Sequence, residues 1–142
     1  MRRHRLVVAC GVLFSLTDWS AAASDFKLVA NPSVPVTSLS RAQLSSAFLK
    51  KTDKWPNGTP IVPVEQGHDS ALRVSFCRAV HDKTLAMIDS YWQKQVFSGR
   101  ASPPLTRASD ADVIAYVRSA PGAIGYVSVG ADPAGLKVVH LE

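Results

Sequence analysis

The sequence predicts an α/β domain in which short apolar runs alternate with longer segments of helical periodicity. Two observations carry that prediction. Phe26–Ala30, Ile61–Val64, Ala123–Val127 and Leu136–His140 are short apolar runs bounded by Pro, Gly, Asn or Asp, as strands are. Between them, segments opening at Ser40, Asp69-Ser70, Thr84 and Ser109 begin on side chains that cap helices and then place apolar residues three and four apart. The resulting order, β-α-β-α-α-α-β-β, suits a two- or three-layer domain with a small, mostly parallel or mixed sheet flanked by helices.

The first 23 residues are set apart from that fold. Arg2, Arg3 and Arg5 form a positive start, Leu6 to Leu16 an apolar stretch, and Ala21-Ala22-Ala23 a small-residue cleavage pattern. Together they predict a secretory signal peptide over 1–23, and a domain over 24–142 that reaches the periplasm. The apolar stretch is too short to span a bilayer, so no membrane insertion is expected after cleavage. Val7-Val8-Ala9-Cys10 is similar to a lipoprotein box, which leaves lipidation of Cys10 as the alternative to cleavage after Ala23. Arg2-Arg3 lacks the rest of a twin-arginine signal.

Without residues 1–23 the charge is +3, from 13 Lys/Arg against 10 Asp/Glu. That balance is compatible with an anionic ligand and lacks the clustered basic face of a nucleic-acid binder. Cys77 is then the sole cysteine, so the fold rests on its core rather than on a disulfide. Beside Phe76 in mid-helix, it reads as a buried small apolar residue.

Phe26–Ala30 shows little alternation and so reads as a central strand, ended by Asn31-Pro32-Ser33. Ser40 with Gln43 forms a capping box, and Leu44, Phe48 and Leu49 supply the inward stripe of the first helix, which fades at Lys50-Lys51. Trp55-Pro56-Asn57-Gly58 is a turn, with Trp55 read as a packing residue rather than a lid. Thr84 caps a helix with Leu85, Ile88, Trp92 and Val96 on one face, stopped at Gly99. Arg100 to Arg107 reads as a loop broken by Pro103-Pro104. Ser109 with Asp112 starts the last helix, lined by Val113, Ile114 and Val117 and stopped at Pro121-Gly122.

The unit from Ile61 to Val80 carries the candidate site. A strand leads into the polar loop Glu65-Gln66-Gly67-His68, and Asp69-Ser70 turns the chain into a helix with Arg73, Phe76, Cys77 and Val80 on its inward stripe. Free N–H groups and the positive end of the helix dipole converge at such a junction, which favours a small anion. Gln66, Gly67, His68, Asp69, Ser70 and Arg73 are therefore the expected oxyanion-binding residues. Arg73 has two readings: a local ion pair with Asp69 one turn earlier, or a guanidinium facing a ligand in bidentate fashion.

No catalytic constellation is present in the sequence. His68, His81 and His140 are widely separated, without metal-ligand spacing. There is no G-x-S-x-G elbow and no Walker loop, and Ser70 has no base assigned to it. The expectation is a non-enzyme without cofactor or metal.

The spacing of several short motifs resembles the short exported phosphate ABC transporter substrate-binding proteins, which carry a PBP-like domain. The resemblance rests on Leu39-Ser40-Arg41-x-Gln43-Leu44 with Phe48, Trp55-Pro56-Asn57-Gly58, and Gln66-x3-Ser70-x2-Arg73-x2-Phe76. It continues through Tyr91-Trp92, Phe97-x-Gly99 and Pro121-Gly122-Ala123-Ile124-Gly125-Tyr126-Val127. It implies a single periplasmic-binding-protein-like lobe, phosphate or a similar small oxyanion as ligand, and an ABC permease or another envelope protein as partner. Full-length phosphate binders have two lobes and a loop reading Arg-x-Asp-x-Ser-Gly-Thr. Aligned at Ser70, this chain has Gln66 and His68 in place of the Arg and Asp, and Ala71-Leu72 in place of Gly-Thr. An open lobe with so few charge-assisted donors is expected to bind weakly. The alternative expectation is an envelope interaction or sensory domain that has lost its ligand, with an exposed apolar patch near Trp55, Tyr91 and Pro103-Pro104.

Overall fold

Strand β1 (Phe26–Ala30) is buried on both faces in the middle of a six-stranded sheet, in a computed structural model that describes residues 25–142. The expected leader over 1–23, with Cys10, lies outside the described residues. The other elements follow in order as β2 (Ser38–Leu39), α1 (Arg41–Phe48), β3 (Val62–Gln66), α2 (Ala71–Phe76), α3 (Leu85–Phe97), β4 (Leu105–Arg107), α4 (Asp110–Ser119), β5 (Ala123–Ser128) and β6 (Lys137–Leu141). The sheet order is β2-β6-β1-β5-β3-β4. β2/β6, β3/β4 and β3/β5 pair in parallel, whereas β1 runs antiparallel to both β5 and β6. The sheet is thus mixed, with helices on both faces, as the sequence implies.

Alternation along the central strands builds the two cores. Phe26, Leu28 and Ala30 of β1 join Ile124 and Tyr126 of β5 in one cluster with Leu44 and Phe48 of α1 and Phe76 of α2. Val29 and Val127 point the other way, into a cluster with Val113, Ile114 and Val117 of α4. The α4 helix comes so close to β5 that a Cβ on Gly125 would lie 2.8 Å from Val113 Cγ1. Leu49, Cys77, Ile88 and Trp92 form a third cluster, which seats α3. Trp55 is buried, and its indole N–H donates to the Gly122 carbonyl at 2.9 Å, so it packs as expected. Gly122 itself has φ +77°, and a Cβ there would collide with the Pro60 carbonyl oxygen at 2.1 Å.

The caps form where their residues suggest. Ser40 Oγ accepts from the Gln43 N–H while Gln43 Oε1 accepts from the Ser40 N–H. Ser70, Thr84 and Ser109 likewise accept N–H groups of the first turns of α2, α3 and α4.

The structure departs from expectation in five places. β4 is a strand within a stretch read as a loop, and β2 lies in a stretch given no element; at three and two residues they are too short to show a period. Glu65 and Gln66 belong to β3 rather than to a loop, since both are buried with partners inside the fold. The helix after Ser70 is α-helical only to Phe76 and continues as one π-helical turn, Cys77–His81, closed by Asp82 in the left-handed region. Val96 is 55 % exposed rather than inward, because the last turn of α3 runs past the third cluster. The exposed apolar side chains near the expected patch are Val96 and Phe97 of α3, which share a groove with Pro103, and not Trp55, whose ring is spent on the core.

Candidate functional site

Strand β3 delivers Glu65 and Gln66 into the interior, and α2 returns Arg73 over them. The Glu65 carboxylate is buried, and its Oε2 accepts the Tyr126 O–H at 2.5 Å. Arg73 Nε stands 3.8 Å from the same oxygen, beyond hydrogen-bonding distance, and Arg73 Nη1 donates to the Gln66 carbonyl at 3.4 Å. Burial pushes the Glu65 carboxyl up, against the opposing pull of the Tyr126 hydrogen bond and the Arg73 charge. Burial next to that carboxylate also drives the Tyr126 phenol far up, so it stays protonated and donates. Phe76 stacks on the Tyr126 ring at 4.0 Å between centroids, 8° from parallel, and holds the phenol in place.

The result is a buried guanidinium that is incompletely satisfied. Arg73 Nε is buried with no hydrogen-bond partner, while the side chain lines a groove of about 800 Å³. His68 and Asp89 share that end of the groove. His68 Nε2 lies 2.9 Å from Asp89 Oδ2, and Nδ1 lies 3.5 Å from Asp69 Oδ1. The Asp89 hydrogen bond and charge, then Asp69, raise the pKa of His68. Trp92, Val96 and Phe97 of α3, with Pro103, make the apolar side of the same groove.

Of the six expected site residues, His68 and Arg73 meet in this groove. Gln66 faces inward, its Nε2 donating to Asp110 Oδ1 at 2.9 Å and to the Tyr126 carbonyl at 3.1 Å. Ser70 Oγ accepts the Leu72 N–H, and the Gly67 carbonyl accepts the Ser70 N–H in the loop between. The Asp69 side chain is fully exposed beside His68. Arg73 therefore pairs with Glu65, not with Asp69 one turn before it. Sequence reasoning missed Glu65, Tyr126, Asp110 and Asp89 as members of this network. A charged residue closing an apolar strand, with an inward Arg one β-α turn later, was the signal available for Glu65.

Ser70 Oγ accepts the Leu72 N–H and His68 Nε2 pairs with Asp89, so neither is engaged with the other. Among the described residues no cluster of three or more His, Cys, Asp or Glu is placed to hold a metal ion. No described helix is long and apolar enough to cross a membrane.

The profile of the PBP superfamily domain matches residues 13–141. The chain belongs to this family. Among solved structures it is similar to a protein from Clostridium perfringens, described as a phosphate ABC transporter substrate-binding protein with bound phosphate. That match has 20 % identity and a TM-score of 0.64, over 82 % of this chain and 44 % of the other. An ABC-type phosphate transport receptor from Vibrio cholerae matches with 21 % identity and a TM-score of 0.65, over 82 % of this chain and 46 % of that one. A Borrelia burgdorferi PstS matches with 15 % identity and a TM-score of 0.58, over 83 % and 47 %. At these identities the likeness is one of fold, and this PBP-like domain spans less than half the length of each. No curated protein matches the chain.

Proposed function

We propose that this PBP-like domain is an exported solute-binding module that holds phosphate or a similar small oxyanion against Arg73. The loop after β3, running from Gly67 through Asp69 to Ser70, brings His68 to the rim of the groove. The observation that supports this most directly is the Arg73 guanidinium, buried, lining the groove and with Nε left without a partner. With only a long Nη1 bond to the Gln66 carbonyl and a loose pairing with Glu65, the guanidinium keeps donor capacity that an anion in the groove can use. His68, whose pKa Asp89 and then Asp69 raise, adds a second positive group at the same end when it is protonated. Gln66 acts indirectly, by fixing the end of β3 on Asp110 and Tyr126. The descriptions of the solved relatives favour phosphate as the anion and an ABC-type phosphate transporter as the partner, while the leader expected over 1–23 favours the periplasm.

Calorimetry of the purified protein with inorganic phosphate and with sulfate tests this reading. Binding in the micromolar to millimolar range is expected, weakened at least tenfold by Arg73→Lys, which keeps the charge but not the fork of donors. No heat with either anion at millimolar concentration would sink it.

A second reading, an envelope interaction or sensory domain without a ligand, draws support from Met87, Val96 and Phe97 exposed on α3. Capture of one envelope partner by the wild type but not by Phe97→Ser, with no anion binding, would favour it.

A further inference from the structure

We infer that the ligand of this groove is an organic oxyanion, a phosphate monoester bearing an apolar group, rather than free phosphate. This rests on the preceding reading, since it keeps the anionic head at Arg73. It adds an apolar substituent lying along α3.

Two features of the groove point beyond an inorganic ion. The first is size. At about 800 Å³ it falls within the roughly 300–1,000 Å³ range that accommodates drug-sized organic ligands, far more than a five-atom anion fills. The second is the division of its walls. Arg73, His68 and Asp89 occupy one end, and the Asp89 carboxylate is already engaged by His68 at 2.9 Å, which reduces its repulsion of an incoming anion. The remaining lining is mainly apolar, Trp92, Val96, Phe97 and Pro103, with the uncharged Gln93 and Thr106 among them.

Among the described residues nothing covers Val96 and Phe97 of that wall. Phe97 is 97 % exposed and Val96 55 %, although both stand on the last turn of a helix whose earlier turns are packed by Ile88 and Trp92. Apolar side chains gathered next to a buried guanidinium, paired loosely with Glu65 at 3.8 Å and with no hydrogen bond at Nε, form an amphipathic surface, with one chemistry at each end. A ligand with an oxyanion head and an apolar tail covers both ends at once. Inorganic phosphate covers only the first and leaves Val96 and Phe97 in water. The head is directed by the guanidinium, and the tail adds non-directional burial that tolerates variation in its shape.

Calorimetry with inorganic phosphate and with phenyl phosphate, on wild type and on Val96→Ser/Phe97→Ser, separates the two contributions. Both substituted side chains are exposed, so the variant is expected to fold, and circular dichroism checks that it does. The expected result is phenyl phosphate binding at least tenfold tighter than phosphate to the wild type. In the variant that ratio falls to within about threefold, with phosphate affinity unchanged. Equal affinity for the two anions would overturn the inference while leaving the oxyanion reading in place. So would a preference for phenyl phosphate that survives the double substitution. Binding of neither anion would overturn both. If sizing shows a wild-type dimer that the variant loses, with no change in ligand ratio, the face contacts a second copy of this chain and the inference fails.

Discussion

Tyr126 and Arg73 converge on a single carboxylate oxygen: Glu65 Oε2 accepts the Tyr126 O–H at 2.5 Å and lies 3.8 Å from Arg73 Nε. A buried carboxylate is tolerable only while something donates to it, and here the phenol supplies the close contact. Tyr126→Phe removes that donor and also the acceptor of the Gln66 N–H. The expected loss is about 1–3 kcal/mol. Burial holds the Glu65 carboxyl above its ordinary pKa, so its contribution to stability is fully present below the unfolded value and is lost as pH rises through the folded one. Without the phenol the folded value climbs further, so the variant loses stability over a wider span of rising pH than the wild type, which a comparison at pH 5 and pH 7 samples. Urea midpoints at the two pH values check this; equal midpoints for variant and wild type would refute it.

The Arg73–Glu65 pair is expected to show strong coupling. Removing either partner alone leaves an uncompensated charge in the interior, which costs roughly 3–5 kcal/mol in buried pairs generally. At 3.8 Å the lower end applies. Arg73→Met should therefore destabilise the fold by about 3 kcal/mol, and Glu65→Gln added to it should restore part of that loss. A double-mutant cycle in urea measures the coupling; strict additivity of the two substitutions would show that the side chains do not interact.

His81 makes stability depend on mildly acid pH. It is buried at the end of the π-helical turn, with Nδ1 2.8 Å from Ser45 Oγ and its ring edge-on to Phe76. Burial first, then the charges of Lys51 and Lys83, hold its pKa down at about 4. The unfolded chain takes up the proton near pH 6.5 while the native state resists it until about pH 4. The stabilisation due to neutral His81 is thus complete above pH 6.5 and is lost as pH falls from there to about 4. The loss amounts to at most about 1.4 kcal/mol for each pH unit crossed. Urea melts at pH 7.0, 5.5 and 4.5 should show this decline in the wild type and a shallower one in His81→Gln. Parallel declines in both proteins would assign the acid sensitivity to other groups.

What could be read in the sequence was what is local. Ser40 and Gln43 bond to each other across three residues, so their pattern is the structure. The inward placement of Arg73 and Phe76 follows in the same way from helical period. Glu65 and Gln66 defeat such reading because the groups that satisfy them lie far along the chain: Tyr126 is 61 residues from Glu65, and Asp110 is 44 from Gln66. Two polar residues after an apolar run look like a loop until those partners are in place. Val96 fails for another reason. Its period is right, but the core it should face ends at Trp92. The candidate groove is the sum of these non-local facts, and of its polar end only Arg73 and His68 were legible beforehand.

Gly125 sets how closely α4 approaches the sheet. It has no left-handed φ to accommodate, so its role is one of space alone: a Cβ there would meet Val113 Cγ1 at 2.8 Å and Val117 Cγ2 at 3.4 Å. Both valines are fully buried, and the backbone of β5 is tied on one side to β1 and on the other to β3. Neither layer can yield freely, so Gly125→Ala should cost about 1–3 kcal/mol through overpacking. Val113→Ala alone leaves a cavity and should also destabilise. Combined, the added methyl occupies part of the space the valine vacates, and the double variant should be more stable than the sum of the two losses predicts. Thermal melts of the four proteins measure this directly. If Gly125→Ala melts with the wild type, the spacing between α4 and β5 is adjustable and the argument from close approach fails.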